Sequence, residues 1–131
     1  MINWENKKHG KKVFNGDICI REHLKDKKIR MFSVYIKSEK IKDVSRTQFV
    51  RIAVSNNKLY FDDDCTSLNG WKIQKEGENF LFKVRKSTLS KNAQEVIEPG
   101  NYRLQFDPIA KYFFIDLDDK LERKLAFERS Y

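Results

Sequence analysis

Long apolar segments are absent from this 131-residue sequence, and cysteine is scarce. No run of residues approaches the roughly 18 to 20 apolar positions that a membrane-spanning helix needs. The N-terminus runs directly into polar sequence, unlike a secretory signal. The two cysteines, Cys19 and Cys65, are too few for a disulfide framework and are typical of reduced thiols in the cytosol. These absences predict a cytoplasmic protein that does not contact the membrane.

Catalytic motifs are absent as well. The only histidines, His9 and His23, lack the sequence neighbours typical of a general base. The chain contains neither a Gly-x-Ser-x-Gly nucleophile motif nor a glycine-rich phosphate loop, and its five scattered glycines could not readily build one. We therefore predict that the protein is not an enzyme and uses no cofactor.

Metal-binding patterns are weak. Aspartates cluster at 62–64 and again at Asp116, Asp118 and Asp119, and such oxygen ligands could hold Mg²⁺ or Ca²⁺. Asp116 and Asp118 with Lys120 resemble part of a divalent-metal nuclease site, but the upstream carboxylate that such a site requires is not identifiable. The cysteines and histidines lack the spacing of a zinc site. An acidic turn after a strand explains both clusters more simply, so no metal site is predicted.

Positive charge is unevenly distributed along the chain, whose net charge is +8. Residues 1–62 hold fifteen Lys or Arg against seven Asp or Glu, whereas residues 63–131 hold twelve of each. Clustered cations raise the local electrostatic potential and attract polyanions. The first half is therefore predicted to meet a polyanionic partner. A lysine-rich surface that only keeps the protein soluble would give the same count.

Apolar and polar residues alternate from Ile29 onward, with the period of β-strands. The segments with this period are 29–37, 47–54, 59–61, 71–74, 80–85, 102–106 and 112–117. Between two of them, Ser55-Asn56-Asn57-Lys58 tolerates the positive φ of a tight hairpin turn. Ten Phe, five Tyr and two Trp supply a hydrophobic core. We predict a mostly β fold with a minor α component, built as a compact, barrel-like antiparallel sheet.

The chain is short enough for a single domain, residues 1–131, in which we distinguish an arm, a core and a tail. Residues 1–17 are expected to form a basic, flexible arm, because they hold four lysines and few apolar side chains. Residues 21–28 could make one or two helical turns, and residues 29–117 form the β-rich core.

Two helices are predicted beside the sheet. Ser87 is the expected N-cap of a short internal helix that continues to about Val96 and ends before Pro99-Gly100. Residues 118–131 are predicted to form a C-terminal helix, because Leu117, Leu121 and Leu125 recur at helical spacing.

An internal β-β repeat is predicted in the second half of the chain. Trp71-Lys72-Ile73-Gln74 recurs as Tyr102-Arg103-Leu104-Gln105 at a spacing of 31, and each segment is followed by a turn and an aromatic strand. Two such units could pack about a pseudo-twofold axis and cover each other's apolar faces. Chance similarity between two short hairpins is the alternative.

Basic side chains recur at the polar positions of the predicted strands. A strand that repeats this pattern makes one sheet face cationic, and such a face can follow phosphates while exposed Tyr60 or Trp71 stacks on unpaired bases. The alternative is that the aromatic residues fill the core and the cations are only the solvent face. The candidate phosphate contacts are Lys7, Lys8, Lys11, Lys12, Arg30, Arg51 and Lys58.

The segment from Phe80 to Leu117 combines an aromatic strand that ends in Lys83-Val84-Arg85-Lys86, the turn Glu98-Pro99-Gly100 and a second aromatic hairpin. In this order it resembles an AbrB-type swapped-hairpin unit, although Arg85 stands where that family usually has proline. The resemblance implies DNA binding by Lys83, Arg85 and Lys86. It also implies a dimeric barrel, formed either by a homodimer or, if the repeat is real, by two halves of one chain.

Non-catalytic nucleic-acid binding through the basic first half is the function that these patterns predict, with DNA favoured over RNA. The Lys-, Ile- and Asn-rich composition fits a regulator from an AT-rich bacterium or mobile element. The alternative is a small protein–protein interaction module or inhibitor that docks on an acidic or nucleic-acid-handling partner, because an aromatic-rich protein without motifs can act through surface complementarity.

Overall fold

The structure is a computed structural model that describes residues 15–37, 49–63, 68–77 and 79–121. Two hairpins come first, β1 (Ile18–Lys25) with β2 (Ile29–Lys37) and β3 (Phe49–Ser55) with β4 (Lys58–Asp62). They are followed by β5 (Trp71–Lys72), β6 (Gln74–Glu76) and β7 (Asn79–Arg85). A 3-10 turn (Lys86–Thr88) and helix α1 (Lys91–Val96) lead to β8 (Gly100–Tyr102), β9 (Gln105–Asp107) and β10 (Tyr112–Asp116).

These strands form two antiparallel five-stranded sheets. Sheet 1 has the strand order β6-β7-β2-β1-β8, and sheet 2 has the order β5-β3-β4-β10-β9. The prediction of a mostly β, antiparallel fold is confirmed. The barrel-like closure is wrong, because the pairings among the described residues include no ladder that joins the two sheets.

One hydrophobic core lies between the two sheets. Phe32, Val34 and Ile36, which were predicted to share one face of β2, are all buried in it. Sheet 2 contributes residues such as Leu59 and Ile115, which are fully buried. Because successive side chains of a strand point to opposite faces, one face of each sheet is covered by the other sheet and the second face is left outward.

Both N-terminal hairpins close through residues with positive φ. Asn56 and Asn57 have φ of 51° and 60°, so the tight turn predicted between β3 and β4 is confirmed. The β1–β2 turn uses Asp26 and Lys27, with φ of 54° and 63°. The helical turns predicted for residues 21–28 are therefore wrong, because this segment continues β1 into its hairpin and pairs with β2 as far as Lys25.

The internal helix is present, but Ser90 caps it rather than Ser87. The Ser90 hydroxyl oxygen accepts a hydrogen bond of 3.2 Å from the Ala93 N–H, and the helix begins at Lys91. The predicted C-terminal helix is wrong at its start, because Leu121 instead forms a β-bridge with Asn101, whose carbonyl accepts the Leu121 N–H at 2.8 Å. Residues 122–131 lie outside the described residues.

The sheet begins earlier in the chain than predicted, at Ile18 rather than Ile29. Residues 1–14 of the predicted arm lie outside the described residues. Asp17, near the end of that arm, is fixed by hydrogen bonds of its backbone and of its side chain. Its N–H donates to the Tyr102 carbonyl at 2.9 Å, and its carboxylate accepts from the Leu104 N–H at 2.9 Å. Gly16 has a φ of 79°, and a Cβ atom there would lie only 2.7 Å from the Tyr102 oxygen, so this close approach requires glycine.

The two predicted repeat units occupy reciprocal positions. In the first unit the chain leaves sheet 2 after β5, crosses at Ile73 and enters sheet 1 as β6 and β7. In the second it leaves sheet 1 after β8, crosses at Arg103-Leu104 and enters sheet 2 as β9 and β10. The strand orders of the sheets therefore match when β1 corresponds to β3, β2 to β4, β6 to β9, β7 to β10 and β8 to β5.

Tyr102 anchors the middle of this arrangement. Its side chain is fully buried, and its hydroxyl donates a 2.7 Å hydrogen bond to the Glu98 carbonyl just before the Pro99-Gly100 turn. Burial, with a smaller contribution from the Glu98 charge, raises the pKa of Tyr102 to about 12. The hydroxyl therefore ties β8 to the end of the helical connection in its neutral form.

Replacing Tyr102 with Phe should lower the free energy of unfolding by about 1 kcal/mol at neutral pH, because the hydrogen bond from the buried Tyr102 side chain to the Glu98 carbonyl is lost. A raised pKa in the folded state stabilises the protein fully below the ordinary value of 10.0, and this contribution is lost as pH rises through about 12. Urea unfolding at several pH values should show a shallower alkaline loss of stability for Tyr102→Phe. Identical pH profiles would contradict the assignment.

Candidate nucleic-acid interface

The outward faces of the two sheets share a matching central row. In sheet 1, Leu81, Tyr35 and Cys19 lie side by side on β7, β2 and β1, and they form a small buried cluster. In sheet 2 the corresponding positions on β10, β4 and β3 are Phe114, Tyr60 and Ala53. This alignment, which matches Gln74 opposite Leu81 with Gln105 opposite Phe114, allows the outward surface of sheet 2 to be compared with that of sheet 1.

Towards the β1–β2 turn, the outward rows of sheet 1 become basic. The row after the central one pairs Lys83 with Ser33 and Ser33 with Arg21. The rows beyond it hold Arg85, Met31 and His23, then Ile29 and Lys25. None of these residues is acidic. We call the surface formed by Arg21, His23, Lys25, Lys83 and Arg85 the cationic face.

The centre of the cationic face is packed rather than open. The Arg21 guanidinium carbon lies 5.6 Å from the centroid of the Tyr35 ring, which is only 7% exposed. The Ser33 hydroxyl is buried and lies 3.4 Å from Nδ1 of His23. Lys83 and Arg85 are exposed and make no ion pair with any residue in the described part of the chain. These two side chains are therefore available to an anion.

Sheet 2 carries balanced charge at the corresponding rows. The outward row next to the β3–β4 turn consists of Asp116, Lys58 and Ser55, on β10, β4 and β3. On the other side of the central row, Arg51 Nε donates to Asp62 Oδ2 at 2.6 Å, and this hydrogen bond raises the pKa of Arg51. Two of the predicted phosphate contacts, Arg51 and Lys58, therefore lie on the opposite side of the molecule from the cationic face and share their surface with aspartates.

Arg30 and Lys86 also lie away from the cationic face, on the core side of sheet 1. Both approach the same carboxylate oxygen of Glu22, at 3.4 Å from Arg30 and 3.1 Å from Lys86. Lys86 Nζ is also 5.4 Å from the centroid of the Phe32 ring. Of the ten predicted phosphate contacts, only Lys83 and Arg85 belong to the cationic face. Four others, Lys7, Lys8, Lys11 and Lys12, lie outside the described residues.

Neither predicted stacking residue is on the cationic face. The Tyr60 ring lies 5.5 Å from the Phe114 ring in sheet 2, and its hydroxyl donates to Asp107 at 3.3 Å. Partial burial raises the pKa of Tyr60, and hydrogen bonds from the Ala110 and Ile109 N–H groups lower the pKa of Asp107. Trp71 is half-buried and packs against the core. Both rings are part of the protein's own packing.

The sequence interpretation missed three members of the cationic face, Arg21, His23 and Lys25. They occupy every second position of β1 and point outward, whereas Glu22 and Leu24, which alternate with them, point to the core side. This period of two was a usable signal, but the charged composition of residues 21–28 was interpreted as helical turns. The pattern makes sense only once Cys19 and Arg21 are seen on one extended strand.

The described aspartates of the two acidic clusters show no arrangement around a metal position. Asp116 Oδ1 accepts a hydrogen bond from the Asp118 N–H at 3.0 Å, as in an ordinary turn. Within residues 15–37, 49–63, 68–77 and 79–121, no group of three or more His, Cys, Asp or Glu side chains could hold a metal ion. In the same ranges, no helix is long and apolar enough to cross a membrane.

Comparison of the chain with protein-family models, with curated proteins and with solved structures gives no match. The AbrB-type resemblance and the DNA binding that it implies therefore stay predictions. Of the three basic residues that the resemblance singles out, Lys83 and Arg85 face outward, whereas Lys86 is paired with Glu22.

Replacing Lys86 with Gln should lower the free energy of unfolding by about 1 kcal/mol, because the partly buried pair with Glu22 and the contact with Phe32 are lost. The matched change Lys83→Gln, at an exposed position without an ion pair, should cost less than about 0.5 kcal/mol. Urea unfolding measures both. Equal losses in the two variants would show that Lys86 has no structural role.

Proposed function

We propose that the protein is a non-catalytic nucleic-acid-binding protein that contacts phosphates through the cationic face of sheet 1. One observation carries the proposal, namely the contrast between matched positions of the two sheets. Lys83 and Arg21 flank Ser33 in sheet 1, whereas Asp116 and Ser55 flank Lys58 in sheet 2. If the basic side chains only kept the protein soluble, we would expect them to be spread over the outward faces of both sheets rather than concentrated on one.

The spacing of the cations supports a repetitive anion. Arg21, His23 and Lys25 follow one another at every second residue of a strand, which places them about 6.6 Å apart. Lys83 and Arg85 repeat this spacing two strands away. A regular grid of cations suits the evenly spaced phosphates of a nucleic acid better than the irregular carboxylates of a protein surface.

Affinity through this face would be dominated by counterion release. Each phosphate that a Lys or Arg neutralises contributes a slope of about −0.9 to the dependence of log K on log salt concentration. The four Lys and Arg side chains of the cationic face would therefore give a slope of roughly −3 to −4. Such contacts position the protein on the phosphate backbone, and specificity for a base sequence would need further contacts to base edges.

Reversing both exposed charges, in the variant Lys83→Glu/Arg85→Glu, should weaken nucleic-acid binding at least about tenfold at low salt. The control Lys72→Glu/Lys91→Glu changes the net charge equally at exposed sites on sheet 2 and α1, and its affinity should stay within about threefold of the unchanged protein. Fluorescence anisotropy with labelled single- and double-stranded DNA and RNA, at two salt concentrations, measures both.

Equal losses in the two variants would show that the cationic face is not the binding surface. Absence of binding to all four nucleic acids at low salt would overturn the proposal and favour the alternative of an acidic protein partner. Circular dichroism of each variant, compared with the unchanged protein, separates lost binding from lost folding.

A further inference from the structure

The β1–β2 hairpin extends past the rest of sheet 1. On one side, β8 pairs with β1 only from Ile18 to Ile20, and on the other, β7 pairs with β2 as far as Met31. Beyond Met31 the described sheet is two-stranded, with Leu24 opposite Arg30 and Lys25 opposite Ile29. We call residues 21–31 the ribbon. The corresponding β3–β4 hairpin does not project. Its last residue pair before the turn is Ser55 with Lys58, and Lys58 is still paired with Asp116 of β10.

The projecting end of the ribbon is basic. Lys25, Lys27 and Lys28 are exposed around the turn, with Asp26 the one acidic residue among them. The other acidic residue of the ribbon is Glu22, which lies on the core side between Arg30 and Lys86. The ribbon therefore presents a concentrated positive charge in the direction in which it extends.

Among the described residues, the ribbon and the cationic face carry no exposed Phe, Tyr or Trp side chain on which unpaired bases could stack. Proteins that bind single strands without sequence preference combine a basic groove with exposed rings on which bases stack. In these rows Tyr35 is nearly buried beneath Arg21, and the exposed ring is the imidazole of His23, beside Ser33. Phosphates can be reached from this surface, but among the described residues this imidazole is the one ring open to bases that are splayed out.

We propose that the ribbon enters the major groove of B-form duplex DNA while Lys83 and Arg85 of the cationic face contact the flanking phosphates. This inference rests on the proposed function and narrows its ligand to duplex DNA. Two paired strands lie 4.7–4.9 Å apart, and a two-stranded ribbon fits the major groove, which is about 12 Å wide. The major groove of duplex RNA is too narrow for side chains to read.

The length of the ribbon agrees with the depth of that groove. Two residue pairs and the turn lie beyond His23 and Met31, which corresponds to a reach of about 10 Å at 3.3 Å per residue. The major groove is about 8.5 Å deep. The lysines of the turn would therefore reach base edges when Lys83 and Arg85, at the base of the ribbon, stand beside the phosphates.

The first test compares ligands for the full chain. Anisotropy titrations use a duplex DNA, its single strand and a duplex RNA of the same sequence, at one salt concentration. Duplex DNA should bind at least about tenfold more tightly than either of the others. Methyl green, which occupies the major groove, should compete with the protein, and netropsin, which occupies the minor groove, should not.

The second test removes the charges of the ribbon without changing its turn. The variant Lys25→Gln/Lys27→Asn/Lys28→Gln places Asn at Lys27 because that position has a φ of 63°, which asparagine tolerates. The control Lys72→Gln/Lys91→Gln/Lys111→Asn makes the same three replacements elsewhere, and Lys111 has a φ of 62°. The ribbon variant should lose at least about tenfold in duplex affinity and reduce the salt slope by about 2 to 3, whereas the control should change little.

Several results would separate this inference from the broader function. Equal or tighter binding of single-stranded DNA or duplex RNA would overturn the ribbon proposal and leave phosphate binding by the cationic face in place. The same holds if the ribbon variant keeps full affinity while Lys83→Glu/Arg85→Glu loses it, or if netropsin alone competes. Failure to bind any nucleic acid would overturn both proposals.

Discussion

The shared core between the two sheets is the constraint on which the rest of the structure depends. Neither sheet can bury its apolar face alone, so Phe82 of sheet 1 meets Phe61 of sheet 2, with ring centroids 6.4 Å apart and nearly perpendicular planes. The chain satisfies this constraint by crossing between the sheets at Ile73 and at Leu104. Each C-terminal unit thus donates one strand to one sheet and a hairpin to the other, which ties the two layers together covalently.

This reciprocal arrangement leaves the outward faces free to differ. The inward positions must be apolar in both sheets, and the central outward rows are similar, with Tyr35 matching Tyr60 and Leu81 matching Phe114. Beyond these rows most outward side chains are exposed, and the two surfaces diverge in charge. The fold repeats itself, whereas the proposed binding surface occurs once, on the sheet whose hairpin is longer.

Local sequence patterns predicted most of the architecture. The features that they did not predict depend on pairing between residues that are distant in the sequence. The alternation of Phe32, Val34 and Ile36 and the Asn56-Asn57 turn each depend on neighbouring residues, so the sequence was sufficient for them. The predicted C-terminal helix is wrong at its start because Leu121 pairs with Asn101, a partner that no local spacing reveals. Among the candidate phosphate contacts, Arg51 forms an ion pair with Asp62 on the neighbouring strand of sheet 2, and Lys86 forms one with Glu22 of β1, contacts that were not read from the sequence.

The free side of β1 has a consequence for how copies of the protein meet. From Arg21 to Lys25, β2 is the one strand among the described residues that pairs with β1. On the other side of β1, the backbone N–H and C=O groups of these residues therefore form a sheet edge that no described strand covers. Open edges recruit strands from other chains, and charged side chains oppose such pairing by repulsion. The cations of β1 thus protect the protein against edge-to-edge aggregation. Any anion that neutralises them would also weaken that protection.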